Sequence, residues 1–321
     1  MSRYIIPLLL FICLQPIVAN ATTFKIATLS PEGSIWMKVM RAGADELAEK
    51  TNNRVKIKYY PGGVMGDDMA VMRKIRIRQL QGGAVTLGTV SSYFSDSQVY
   101  SLPMLFRSLD EVTYLRRKLD SHILRGLEKN GFVSFGIAEG GFAYIMSLNP
   151  VKSVSDLRTS KAWVPSSDDL ALEAVKAYDV QPIPLPIGDV LTGLQTGLID
   201  TVAAPPVATL ALQWHTQVHY LTDMPLLYSS GLLIIDKKSF SKLSAQDQQT
   251  MREVMGRVFN DIDQQNSSDN KSAFGALKSQ GIKMVKPDPE QLEEWRSNAY
   301  AARLQLIRSG KISNEIVQTV D

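Results

Sequence analysis

The side chains that could carry chemistry are few, and most read as structural. His215 and His219 are four apart, a spacing that would put two imidazoles on one helix face, as a zinc pair needs. No His-Glu-x-x-His surrounds them, so they are expected to be ordinary surface or packing residues, and His122 stands apart. Cys13 is the only cysteine. No Gly-x-Ser-x-Gly occurs, and Gly62-Gly63, Gly82-Gly83 and Gly140-Gly141 do not form a phosphate loop. Asp168 and Asp169 adjoin a helix start, where carboxylates favour the positive end of the helix dipole. Catalysis needs convergent acid–base groups. None are legible here, so the chain reads as a non-enzyme with no metal and no cofactor.

Aromatic side chains are placed more informatively. Tyr93 and Phe94, Phe142 and Tyr144, and Trp163 fall at or near the ends of segments that read as strands. Trp36 and Trp214 lie on helical segments close to loops. In open α/β sheets ligands bind outside the carboxyl ends of the strands. Pockets there are mostly apolar, with a few placed polar groups.

The elements that would position these residues follow from periodicity. Phe24–Thr28 alternates as a strand, and Ser30-Pro31 reads as a cap and first helical position. Ile35, Val39, Met40, Gly43, Ala44 and Leu47 then recur at helical spacing. Val55–Tyr60 is a second strand, a helix begins near Asp67, and Ala84–Val90 is a third strand. Strand–helix alternation predicts a mainly parallel sheet. The second half repeats the plan: strand Ala162–Val164, helix from Asp168 to about Tyr178, strand Gln181–Leu185, a helix to Gln195, and strand Asp200–Ala204. The glycine-ended helices before Ala84 and Leu198 are similar, as expected of two alike lobes facing one cleft. After Ser244 a stripe of Met251, Val254, Met255, Val258, Phe259 and Ile262 predicts a helix. The polar run Gln264–Lys271 leaves open one long helix exposed in the middle or two broken ones. Ile282–Val285 reads as a short strand, and Pro289 starts a last helix.

Composition sets the compartment and the class. Met1–Arg3 is a short positive start, Tyr4–Val18 is mostly apolar, and Ala19-Asn20-Ala21 fits a small-x-small cleavage site. Residues 1–21 are therefore expected to be a signal peptide cleaved near Ala21, with Cys13 inside it and the product periplasmic. The remaining chain, about 300 residues, is long enough for two domains. The formal charge of +3, less Arg3, is too small to argue for nucleic acid or acidic membranes. No later apolar run has the length of a membrane span.

Several short motifs, in order and spacing, carry a resemblance over nearly all the mature chain. They are Phe24-Lys-Ile-Ala, Tyr60-Pro-Gly-Gly followed by Met65-Gly66, Ser101-Leu-Pro-Met-Leu-Phe106, Val151-Lys-Ser-Val-Ser-Asp-Leu157 and Leu191-Thr-Gly-Leu-Gln-Thr-Gly-Leu-Ile-Asp200. With them the chain resembles the extracytoplasmic solute-binding proteins of TRAP (tripartite ATP-independent periplasmic) transporters, the DctP family. The resemblance implies two α/β lobes, hinge strands and a long helix crossing both. It also implies capture of a small solute by lobe closure and delivery to TRAP-type membrane permease subunits. We expect lobe I at residues 22–145 plus about 230–262, lobe II at 146–229 plus about 263–321, and a monomer. A ligand-presenting sensor subunit is the alternative role.

Three positions depart from the family pattern. Where most members hold an organic anion with an arginine after the Val151–Leu157 motif, this chain has Trp163. Ala143 stands where a second arginine often follows Gly-Phe, and Ala204 where many members have asparagine before the proline. A buried carboxylate without a cation or several donors loses hydration worth several kcal/mol, which arginine offsets by a bidentate pair. Tryptophan offers one N–H and a wide apolar face. The expected ligand is therefore apolar, aromatic or neutral. Trp163 would stack on it, Phe142, Tyr144, Tyr93 and Trp36 would wall it, and Trp214 would stand nearby. Ser91, Ser166 and Ser167 would hydrogen-bond it, and Ala204 and Pro205 would form the facing wall. A carboxylate ligand would need another holder, such as Arg41, Arg73 or backbone N–H groups.

Overall fold

Residues 21–166, 168–313 and 316 are described by the computed structural model. Nearly all of the expected signal peptide, and Ser167, lie outside them. The first half alternates as the periodicity predicts. Its elements are β1 (Thr22–Thr28), α1 (Ile35–Lys50), β2 (Val55–Tyr60), α2 (Asp68–Arg76) and β3 (Gly82–Thr86). β1 lies between β2 and β3, parallel to both. The start of α1 differs from expectation. Gly33 takes a φ of 82° and turns the chain after Pro31, so Ser34 rather than Ser30 is the cap, its Oγ accepting from the Met37 N–H. β3 also ends early, and Leu87–Val90 forms a 3-10 turn instead of more strand. Thr86 and Thr89 use their hydroxyls there to bond Asp68, the local side-chain bonding that competes with a strand ladder.

A long helix, α3 (Leu109–Lys129), leads into the 16-residue strand β4 (Phe132–Ser147). Then come α4 (Val154–Arg158), β5 (Trp163–Pro165), α5 (Asp169–Lys176), β6 (Ile183–Leu185), α6 (Val190–Gln195), β7 (Thr201–Ala204), α7 (Pro206–Ala211) and β8 (Tyr220–Thr222). The chain closes with β9 (Leu227–Asp236), α8 (Lys237–Phe240), α9 (Ala245–Ser279), β10 (Lys283–Val285) and α10 (Pro289–Arg308). His215 sits in a 3-10 turn and His219 just before β8, so the two histidines do not share a helix.

The sheet is mixed rather than mainly parallel, and the reason is β4 and β9. Phe132–Ala143 of β4 pairs antiparallel with β9, which pairs antiparallel with β3. Tyr144–Ser147 of the same strand pairs antiparallel with β7, and its end with β8. One strand thus belongs to both lobes of this two-lobe α/β fold. In the first lobe β9 is buried on both faces. Leu232 and Ile234 pack with α2 and α3, Leu233 and Ile235 with α1 and α9, the pattern of a sheet covered by helices on each side. Leu170 and Ala174 of α5 join the first lobe's core, so the lobes meet there.

The polar run inside α9 is not a break: Gln264, Gln265, Ser268 and Lys271 face solvent as one long helix exposed in the middle would have them, but its other face is turned inward. α9 is one helix of 35 residues, capped by Ser244. β4 carries register shifts at Ser134/Ile137 and Glu139/Gly141, and Gly141 has a φ of 103°. A bulge leaves backbone groups unpaired by the ladder, and α9 satisfies them. Asp263 Oδ1 accepts from the Glu139 N–H at 2.6 Å, Asn266 Nδ2 donates to Glu139 O at 2.5 Å, and Asn270 Nδ2 donates to Gly140 O at 3.0 Å. These positions, i, i+3 and i+7, share one helix face. A side chain on Gly141 would collide with Asn270.

Candidate functional site

A cavity of about 510 Å³ lies where strand ends from both lobes converge. β1 delivers Thr28 to it, β3 delivers Thr86 and then Gly88, β5 delivers Trp163 to Pro165, and β7 delivers Ala204. This is the carboxyl-end location expected for ligand sites in α/β sheets, and the volume lies in the small-molecule range. Trp36 closes one side and Asn266 and Asp269 of α9 another.

Trp163 is 6% exposed and packs edge-on against Trp214, with ring centroids 5.2 Å apart. Its indole N–H donates to Leu185 O at 3.0 Å. The single donor that tryptophan could offer a ligand is therefore engaged, and only apolar surface remains. Trp36 packs edge-on against Phe259, and its ring lies against Gly231, where an added Cβ would come within 3.1 Å.

Of the residues expected at the site, Trp163, Trp36, Trp214, Ser166, Ala204 and Pro205 line this cavity together. Ser167 lies outside the described residues. Phe142, Tyr144, Tyr93 and Ser91 are not among its lining. Side chains alternate along a strand, so Ala143 faces the cavity while its neighbours turn away. Phe142 packs on Tyr228 and Tyr144 on Phe274. Tyr93 packs on Phe132 and its hydroxyl accepts from Arg76, while Ser91 closes the 3-10 turn. Neither Arg41, ion-paired with Glu32, nor Arg73 is in the lining.

The charged groups of the wall are all acids. Asp67, Asp68, Asp168 and Asp269 line the cavity, and no lysine, arginine or histidine does among the described residues. Asp67 caps α2, accepting from Ala70 N–H at 2.7 Å. Asp168 caps α5, accepting from Ala171 N–H at 2.9 Å. Asp68 is 4% exposed, and its Oδ2 takes bonds from Thr86 N–H at 3.0 Å, Thr86 Oγ1 at 3.3 Å and Thr89 Oγ1 at 2.9 Å. Burial pushes the carboxyls of Asp68 and Asp168 above the usual range, outweighing these hydrogen bonds. Among the described residues no group of three or more His, Cys, Asp or Glu is arranged to hold a metal ion.

The sequence reading did not single out Asp68 or the Asp263–Asn266–Asn270 face. A polar stripe at i, i+3 and i+7 inside an otherwise apolar helix face was the available signal for the second.

Two α/β lobes joined by crossing strands around a strand-end cavity define a periplasmic-binding-protein type of fold. The family described as bacterial extracellular solute-binding protein, family 7 (DctP) matches residues 26–305, and the chain belongs to it. It is a solute-binding protein of the TRAP type, in a family of transport proteins. The sialic acid-binding periplasmic protein SiaP of Vibrio cholerae is 23% identical over 282 residues, 86% of this chain and 87% of its own. A TRAP periplasmic solute-binding protein of Xanthobacter autotrophicus Py2 with bound β-D-galacturonate superposes with a TM-score of 0.84 at 18% identity, covering 92% of this chain and 97% of its own. One from Haemophilus influenzae with bound L-gulonate gives 0.85 at 17% identity, covering 93% and 98%.

Proposed function

We propose that this protein captures an apolar, aromatic or neutral solute in the periplasm and hands it to a TRAP-type membrane permease. The observation that carries the reading is the wall itself, which has Trp163, Ala143 and Ala204 but no cationic side chain among the described residues. A sugar acid such as those bound by the structural neighbours would bring a carboxylate into this cavity. The cost of its desolvation is several kcal/mol, and no cation stands there to offset it. Two of the helix amino ends at the cavity offer no substitute. Those of α2 and α5 are already occupied by the chain's own Asp67 and Asp168, so a second anion would meet like charge.

Capture works by closure of the lobes, which shifts an open–closed equilibrium through the ligand's better fit to the closed form. β4, β9 and α9, which run through both lobes, are the elements about which they move. The lobe boundaries proposed above place the exchange of strands there, and the protein acts as a monomer after loss of residues 1–21. No bond is made or broken in this role.

Three of the four tryptophans, Trp36, Trp163 and Trp214, line the cavity, so intrinsic fluorescence reports its occupancy. Titration with neutral aromatic and alicyclic alcohols is expected to give a saturable change. D-galacturonate and L-gulonate are expected to give none. Saturable binding of either acid, with no response to the alcohols, would sink the reading.

A further inference from the structure

The polar part of the cavity wall is more specific than an apolar pocket requires. Asp68 and Asp168 come from different lobes, yet both stand at the 3-10 turn Leu87–Val90. Thr89 of that turn bonds Asp68, and Gly88 lies so close to Asp168 that an added Cβ would come within 2.9 Å of its Oδ2. Asp68 uses one oxygen for the protein, and Asp168 is held by the first N–H groups of α5. Asp68 takes all three of its hydrogen bonds on Oδ2, and the capping bond of Asp168 falls on Oδ1. Asp68 Oδ1 accepts no hydrogen bond among the described residues, while Asp168 also draws on the Leu170 N–H beside its capping bond. Two further wall side chains are more than nine-tenths buried with their hydroxyls unpartnered: Tyr178 at 3% exposure and Ser230 at 5%.

A buried carboxylate left without a cation is expensive, and buried hydroxyls without partners add to the cost. The first cost is removed by an occupant that brings a positive charge and several N–H donors, and polar atoms elsewhere on its body can meet the hydroxyls. An ammonium group does this with three donors around one point charge. The apolar remainder of the wall suits a hydrocarbon body, and an aromatic face beside the charge adds a cation–π contribution.

We propose that the solute is an organic amine, protonated at nitrogen and carried on an aromatic or alicyclic body, with its ammonium group held between Asp168 and Asp68 at the Gly88 turn. The inference rests on the apolar-cavity reading and names the chemistry of its polar end. Lobe closure then has a specific trigger, because the ammonium is contacted by one carboxylate from each lobe.

The test uses matched probes on one skeleton: 3-phenylpropylamine, 3-phenylpropan-1-ol and 3-phenylpropanoate, with the cyclohexyl counterparts of each. Affinities are measured by calorimetry on the mature protein at neutral pH. The amines are expected to bind at least about tenfold tighter than the alcohols, the margin a charge-assisted hydrogen bond gives. Asp168→Asn keeps a good helix cap, and is expected to bring amine and alcohol within about threefold of each other. Alcohols binding as well as the amines would overturn the amine inference and leave the apolar reading standing. Carboxylates binding best would overturn both. Absence of binding by every amine, or an amine preference unmoved in Asp168→Asn and in Asp68→Asn alike, also overturns the inference.

Discussion

Trp163→Ala is expected to lower the unfolding free energy by about 3–5 kcal/mol, the range for removing a large buried aromatic. The indole is 6% exposed, meets Trp214 edge-on and donates to Leu185 O. Truncation opens a cavity beside Trp214 and removes one of the two donors to Leu185 O, the other being Ser166 N–H at 3.1 Å. A fall in Tm on the order of 10 °C follows for a chain of this size. Solute binding is lost with it, because the wall between β5 and β7 is no longer formed. Thermal melts of wild type and variant check this, and a shift below about 2 °C would show that the indole is not packed as described. Trp163→Phe keeps most of the apolar contact but not the N–H, so its deficit measures the hydrogen bond.

The second large effect is expected at Arg116. Its guanidinium bonds both oxygens of Asp263 at 2.7 and 3.0 Å, Asp120 Oδ2 at 3.2 Å and Ile137 O at 2.6 Å. Asp263 in turn holds the Glu139 N–H at the bulge of β4. One arginine therefore ties α3, α9 and β4 together where the lobes join. Burial raises the carboxyls of Asp120 and Glu139, while Arg116 opposes the rise in each. Arg116→Met leaves Asp120 and Asp263 without their paired cation, and Glu139 with only the more distant Lys271. The expected loss is about 3 kcal/mol, the lower end for breaking a buried ion pair, since Asp263 is partly exposed. Arg116→Lys keeps the charge but not the planar fork, and is expected to recover only part of it. Urea unfolding of the three proteins decides the point, and an unchanged midpoint in Arg116→Met would contradict it.

Much of the fold was legible because local patterns and tertiary structure agree. Val55–Tyr60 alternates and is a strand with those bounds, and the Pro289 start of α10 sits behind an Asp288 cap. What was not legible depends on long-range partners. Leu87–Val90 reads as strand by composition, but Asp68 draws Thr86 and Thr89 into a turn. The polar middle of α9 is solvent-facing on one side, as its composition suggests, but Asp263 and Asn266 on the other side bond a bulged strand more than a hundred residues earlier in the chain. For the site, Trp163, Trp36 and Trp214 were legible as strand-end or loop-side aromatics, and all three are in the cavity lining. The facing of Phe142 and Tyr144 follows from strand alternation once Ala143 is placed on the cavity side. The acids at the turn were hidden because an aspartate at a helix start has an ordinary structural role, and Asp168 fills that role as well.

The most direct test of the charge character of this cavity is native mass spectrometry of the protein purified from its native host, followed by identification of whatever is released on denaturation. The account predicts a small molecule with an apolar body and no carboxylate. A sugar acid or dicarboxylate retained at one per chain, and still retained in Trp163→Phe, would contradict it.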